Sequence, residues 1–266
     1  MDFLIGSRTK LVHSIAALVL ALTTGVATYP RQSRSTLTQT QVSKEIQQLL
    51  ERGQQVQQQG RFDEALSLYS RALVLSTRDS RLAAIANLRV GGVYLKQRKL
   101  ADALASFQRS VALNADSAEA QNYLGETLGE MKQYPRAIEC FNRAIALDAT
   151  LLRARYNTGV TYARMGNIKY SEFVFRSLIK NSPNYSLGYD GLAVTLSRSG
   201  RAREAIAFHE KAISLLPEEP SYYYNLGLSY LILGDTVKAL EQQQKLREID
   251  PEVADLLASV IVKKKM

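Results

Sequence analysis

The 266-residue chain has 46% hydrophobic and 22% charged residues, a balance that excludes an intrinsically disordered protein and leaves enough apolar mass for a core. Its single cysteine, Cys140, excludes an intrachain disulfide. The net charge of +9 is spread among acids, as at Arg61 with Asp63 and Glu64, and part of the excess sits in Arg8, Lys10, Arg31, Arg34 and Lys263 to Lys265; this reads as solvated helix surface and not as the one-sided basic stripe of a nucleic-acid binder.

Residues 1–30 differ from the rest. Arg8 and Lys10 precede an apolar stretch from Leu11 to Leu22, followed by small and polar residues up to Pro30. Basic, apolar, then small is the order of a secretory signal peptide, with Gly25 and Ala27 flanking a cleavage point. Residues 11–29 together approach the length of a membrane span. Both readings stay open at this point, a cleaved signal or a retained anchor; positive charges flank the stretch on both sides, Arg8 and Lys10 before it and Arg31 and Arg34 after, and the repeats are expected outside the cytoplasm, in a periplasm, a lumen or the extracellular space. Residues 31–41 are rich in Ser, Thr and Gln and lack apolar periodicity, so they read as a linker.

From Val42 the pattern becomes helical. Val42, Ile46, Leu49, Leu50, Gly53 and Val56 share one face at three-to-four spacing, Gly60 interrupts, and a second helix is predicted from about Asp63 with Ala65, Leu66, Tyr69, Ala72 and Leu73 inward. The predicted hairpin recurs. Its small residue appears at Gly53, Gly91, Gly125, Gly159, Ala193 and Gly227, and every interval from Gly91 onward is 34 residues. The first interval is longer by one helical turn. The large residue that follows is Val56, Tyr94, Leu128, Tyr162, Leu196 and Tyr230; the second helix carries Ala65, Ala103, Ala137, Ala205 and Ala239, with Ser171 once instead; its aromatic is Tyr69, Phe107, Phe141 and Phe175, replaced by His209 and Gln243 in the last two units. Prolines close three of the units, at Pro183, Pro217 and Pro251.

This pattern resembles the tetratricopeptide repeat family, whose unit has that length and that order of small, aromatic and proline positions. The resemblance implies an all-α fold: a solenoid of about six helical hairpins over residues 42–251. Residues 252–266 follow as a capping helix with a basic tail, in which Val253, Leu256, Leu257, Val260 and Ile261 form an apolar stripe able to cover the last hairpin. A glycine or alanine lets the helices approach, and the aromatic four residues after the alanine fills the gap between hairpins.

Catalytic chemistry has little support. Of the two histidines, His13 lies in the apolar segment and His209 in an aromatic packing slot, and neither has a metal-ligand partner at helical spacing. No phosphate-cradling glycine loop is present. Glu126 and Glu130 share a helix face, but solvated acids are the simpler reading. No enzyme, cofactor, metal or small-molecule substrate is expected.

The family resemblance implies that the first helices line a concave wall that binds a peptide. The residues expected there are Asn122, Glu126, Arg153, Tyr156, Asn157, Val160, Asp190, Val194, Tyr224, Asn225 and Leu228. Tyrosines would stack on peptide side chains and asparagines would hydrogen-bond its backbone. The clamp of lysines and asparagines with which chaperone-tail members hold a terminal carboxylate is missing: Leu50, Gln54, Arg89, Glu119 and Tyr123 stand at those places. The expected function is a non-catalytic adaptor, exported or membrane-tethered, with assembly of a membrane or envelope complex as the form it would take. The alternatives are a self-associating structural repeat protein and, less favoured, a binder of nucleic acid or another anionic polymer.

Overall fold

The computed structural model describes residues 38–265. The chain divides into two units, Met1–Thr40 and Gln41–Met266. The signal or anchor expected at residues 1–30 lies outside the described residues, as does most of the expected linker. Among the described residues no helix is long and apolar enough to cross a membrane.

The described residues form thirteen α-helices and no strand. In chain order they are α1 (Gln39–Gln58) and α2 (Phe62–Leu75), α3 (Ser80–Lys96) and α4 (Leu100–Leu113), α5 (Ala118–Glu130) and α6 (Tyr134–Leu147), α7 (Leu152–Arg164) and α8 (Ile168–Asn181), α9 (Ser186–Arg198) and α10 (Ala202–Leu215), α11 (Pro220–Ile232) and α12 (Thr236–Ile249), and a single α13 (Pro251–Lys265). Each pair is a hairpin, and each second helix packs on the first helix of the next pair. The extra turn in the first repeat interval lies in α3, which has 17 residues where α5, α7, α9 and α11 have 13. A 3-10 turn, Ser76–Arg78, leads into it, and the Asp79 carboxylate caps α3 by accepting from the Leu82 N–H at 3.0 Å. Asp63 lies in the first turn of α2, after Arg61, where its charge suits the helix dipole.

The interlock is steric. A Cβ added at Gly91 would stand 2.6 Å from the Phe107 ring, at Gly125 2.6 Å from Phe141, and at Gly159 2.7 Å from Phe175. Each aromatic is therefore pressed against the backbone of its own hairpin's first helix. It also fills the space toward the next hairpin, as expected: Phe107 stacks on Tyr123 of α5 with ring centroids 5.5 Å apart, and Phe175 meets Gly191 of α9. Burying such a ring removes enough apolar area to contribute about 2–3 kcal/mol per residue. The fifth and sixth hairpins solve the same problem differently. His209 replaces the aromatic opposite Ala193, and at Gly227 the occupant is Leu257 of α13, 2.6 Å from where a Cβ would lie. With Ala254 and Ile261, Leu257 seals the last hairpin, and Val253 and Val260 pack beside them; Leu256, expected in the same stripe, is instead exposed, because it lies on the opposite side of α13 from Ala254 and Ile261.

The turn between the two helices of each hairpin requires a left-handed residue. Gly60, Gly166, Gly200 and Gly234 supply it at φ of 77°, 78°, 83° and 82°, while Arg98 and Lys132 adopt 59° and 61° with side chains attached.

Two substitutions test this account in urea unfolding followed by circular dichroism. Gly159→Leu should lower stability by about 1–3 kcal/mol, because the Phe175 ring has no room to retreat. Lys132→Gly should raise it by roughly 0.5 kcal/mol, relief of the left-handed strain outweighing the added freedom of the unfolded chain. Equal stabilities for Gly159→Leu and the parent would refute the interlock.

Candidate functional site

Successive hairpins touch through their first helices: α3 meets α5, α5 meets α7, α7 meets α9 and α9 meets α11. These five form one continuous wall. Polar side chains are tied along it from each repeat to the next. The Asn157 amide donates to Asn122 Oδ1 at 3.1 Å, Arg153 donates to Glu126 at 3.1 Å, Arg164 to Glu130 at 2.7 Å, and the Asn225 amide to both Asp190 oxygens at 3.0 and 3.2 Å. Arg98 reaches Glu130 at 3.0 Å from the preceding hairpin. The Arg164 hydrogen bond, aided by Arg98, holds the Glu130 carboxyl below the usual range.

The residues expected to meet a ligand fall into three groups. Asn122 and Asp190 are 2% and 5% exposed; they face their neighbours and orient Asn157 and Asn225. Tyr156 is largely enclosed, its ring 5.8 Å from Phe175, so its role is more packing than stacking on a peptide. Glu126, Asn157, Val160, Val194, Tyr224, Asn225 and Leu228 are half-buried and Arg153 is exposed. With their amide nitrogens engaged, Asn157 and Asn225 retain carbonyl oxygens as acceptors.

Three cavities lie along the wall. The largest, about 470 Å³, is bordered by Gln54, Gln58, Leu88, Arg89, Gly92 and Lys96. Its floor is Gly92, where an added Cβ would meet nothing within 4 Å. A second, about 170 Å³, is bordered by Glu126, Tyr156, Asn157, Val160 and Arg164. The third, about 190 Å³, is bordered by Val194, Arg198, Asn225, Leu228 and Ile232, with His209 and Ser229 behind. Arg89, Gly92 and Lys96 were not among the expected residues. Gly92 was the available signal: it follows the packing glycine Gly91 directly, in a helix where a second glycine has no role in the interlock.

Behind the third cavity a polar network crosses the stack. His209, 0% exposed, stands with Nδ1 2.8 Å from Asp190 Oδ1 and Nε2 3.2 Å from Ser229 Oγ, and Ser229 Oγ is 2.8 Å from Ser197 Oγ. Serine, histidine and aspartate in this order are the set of a nucleophilic triad. The surroundings are those of a packing network. Ser229 is buried and shares its hydroxyl with Ser197, and it lies inside α11, where backbone amides are spent on the helix and cannot form an oxyanion site.

Models of the tetratricopeptide repeat match residues 82–150 and 191–254. The chain belongs to the tetratricopeptide repeat family. Among curated relatives it is 25% identical over 172 residues to Superkiller protein 3 of Schizosaccharomyces pombe, covering 60% of this chain and 12% of that one. It is 27% identical over 165 residues to the Protein O-mannosyl-transferase TMTC3 of Homo sapiens, covering 56% of this chain and 18% of that one. The tetratricopeptide chain thus spans only a small part of these much longer relatives. Among solved structures it is similar to PilW, a type IV pilus biogenesis factor, at 19% identity and a TM-score of 0.67, covering 83% of this chain and 100% of that one. A tetratricopeptide repeat protein from Parabacteroides merdae gives 17% identity and a TM-score of 0.65, covering 82% and 86%. At these identities the structures share the fold.

The packing of Tyr156 has a pH consequence. Burial, reinforced by the negative charge of Asp190, pushes its phenol up to about 12 from 10.0. Below pH 10 the phenol is neutral in both folded and unfolded chains, so its contribution is fully present; above that the unfolded chain ionises first and stability falls with rising pH. Tyr156→Phe should therefore move the midpoint of alkaline unfolding, read by circular dichroism, to higher pH. An unchanged midpoint would contradict this placement of the hydroxyl.

Proposed function

We propose that this tetratricopeptide repeat protein is a non-catalytic adaptor that holds an extended peptide segment of a protein partner against the wall formed by α3, α5, α7, α9 and α11. The observation that supports it best is the combination of three cavities along one wall with polar side chains already pinned to one another. Ordering long side chains on binding costs about 0.5–1.5 kcal/mol each, and a wall whose asparagines are held in advance avoids part of it. Val160, Val194 and Leu228 supply apolar contact. Asn157 and Asn225 offer carbonyl oxygens to peptide N–H groups, in the manner of backbone recognition by a preformed groove. Asn122 and Asp190 act as positioning residues.

The cellular setting belongs to the same proposal. The basic, apolar, small order of residues 1–30 supports export or membrane tethering, with the repeats outside the cytoplasm and residues 11–29 making the membrane association. A role in assembling a membrane or envelope complex accords with that setting, and a pilus biogenesis factor of the same fold offers a precedent for the architecture.

The test is crosslinking of the full-length chain in its native membrane fraction, with mass-spectrometric identification of partners, for the parent and for Val160→Glu combined with Leu228→Glu. Both side chains are half-buried on the wall and outside the glycine interlock, so helicity should be retained. Recovery of the partner should fall roughly tenfold or more, as for loss of an interface anchor. Undiminished recovery would place the binding surface elsewhere, and recovery of the chain only from the cytoplasm would overturn the setting.

A further inference from the structure

We infer that the cavity over Gly92 receives one acidic side chain of the peptide held by the wall; this rests on the groove reading and adds the chemistry of one position in its ligand. Gly92 stands at the wall position that Gln54, Glu126, Val160, Val194 and Leu228 occupy in the other repeats. Glycine is unfavourable in a helix interior, and this one lies inside α3 with nothing within 4 Å of where its Cβ would be. Its neighbour Gly91 accommodates the Phe107 ring. Gly92 accommodates no part of the fold, and what it provides is open volume in a cavity of about 470 Å³.

The charge around this volume identifies the occupant. Arg89 and Lys96 flank Gly92 on one face of α3, three residues before it and four after, and no carboxylate borders the cavity. Lys96 is exposed and has no ion-pair or hydrogen-bond partner among the described residues. Arg89 has Glu119 at 3.6 Å, with the two side chains 33% and 48% exposed, a contact that a ligand carboxylate can displace. From α1, the Gln57 carbonyl accepts from the buried Tyr69 hydroxyl at 2.9 Å, which leaves its amide N–H groups as donors at the cavity edge. Two cations and an oriented amide suit a carboxylate. The rest of the wall limits the ligand to a single acid. The next cavity is bordered by Glu126 and Glu130, whose carboxylates already engage Arg153 and Arg164. A nucleic-acid backbone or a run of acidic residues would therefore meet like charge one repeat on. Phe62, Leu88 and Tyr123 give the cavity over Gly92 an apolar side, so a lone Asp or Glu beside an apolar residue fits both the charge and the lining.

Panning a random dodecapeptide phage library on the immobilised full-length chain tests this. The peptides are joined to the coat protein through their carboxyl ends, so the carboxylates they offer are side chains. Peptides enriched by the parent should share one Asp or Glu. Changing that residue to Asn or Gln in an amidated, fluorescein-labelled synthetic copy should weaken binding roughly tenfold in fluorescence anisotropy. Lys96→Glu should cause a similar loss, and a copy carrying Lys at the acidic place should recover binding to that variant. Gly92→Leu should block the same peptides with an unchanged circular dichroism spectrum, because its side chain enters open space. Enriched peptides that share no acid, or that bind Lys96→Glu and Gly92→Leu as tightly as the parent, overturn the inference; the groove reading survives that result if Val160→Glu with Leu228→Glu still abolishes their binding. Enrichment of no peptide, or of peptides indifferent to that groove pair, overturns the groove reading and this inference with it.

Discussion

The structure depends on one contact made again and again: an aromatic ring of the second helix set against a glycine of the first. At Gly91, Gly125 and Gly159 the space left by the missing side chain is filled by Phe107, Phe141 and Phe175. The helix axes can close to this distance only because nothing projects between them. Glycine in a helix interior is unfavourable by about 1 kcal/mol relative to alanine, and the ring buried against it more than offsets that. Once each hairpin has this fixed geometry, stacking is set by contact between like elements, and the first helices fall into one wall.

That wall is polar where it meets its neighbours and partly apolar where it is open. A buried carboxylate or amide without a partner would be strongly unfavourable. Asn122 and Asp190 are therefore matched by Asn157 and Asn225 of the following repeat. The same bonds that satisfy the stack also set the direction of Asn157 and Asn225 on its open face.

The last third of the chain departs from the repeat and shows what the repeat needs. Where the aromatic is lost to His209, the slot is filled by an imidazole whose two nitrogens must each find a partner, and Asp190 and Ser229 supply them. Where it is lost to Gln243, α13 inserts Leu257 from beyond the repeat. The first solution carries a buried polar network into the stack; the second turns a terminal helix into part of the core and leaves its other face free.

Six hairpins, their register and the sealing role of residues 252–266 were legible in the residues themselves, because packing glycines and aromatics recur at a fixed period and a period survives without knowledge of the partner atoms. The extra turn before Gly91 was legible too, though not that α3 would hold it. The division of the expected groove residues was decided only by the tertiary structure. Asn122, Tyr156 and Asp190 occupy the same repeat position as Leu88 and Tyr224, and how far such a side chain is enclosed depends on the residue it meets in the next repeat, as Asn157 is for Asn122 and Asn225 for Asp190. The cavity over Gly92 depends likewise on three helices meeting. Periodicity along one chain determines which faces are buried; the contents of a space between helices are set by distances that no single helix contains.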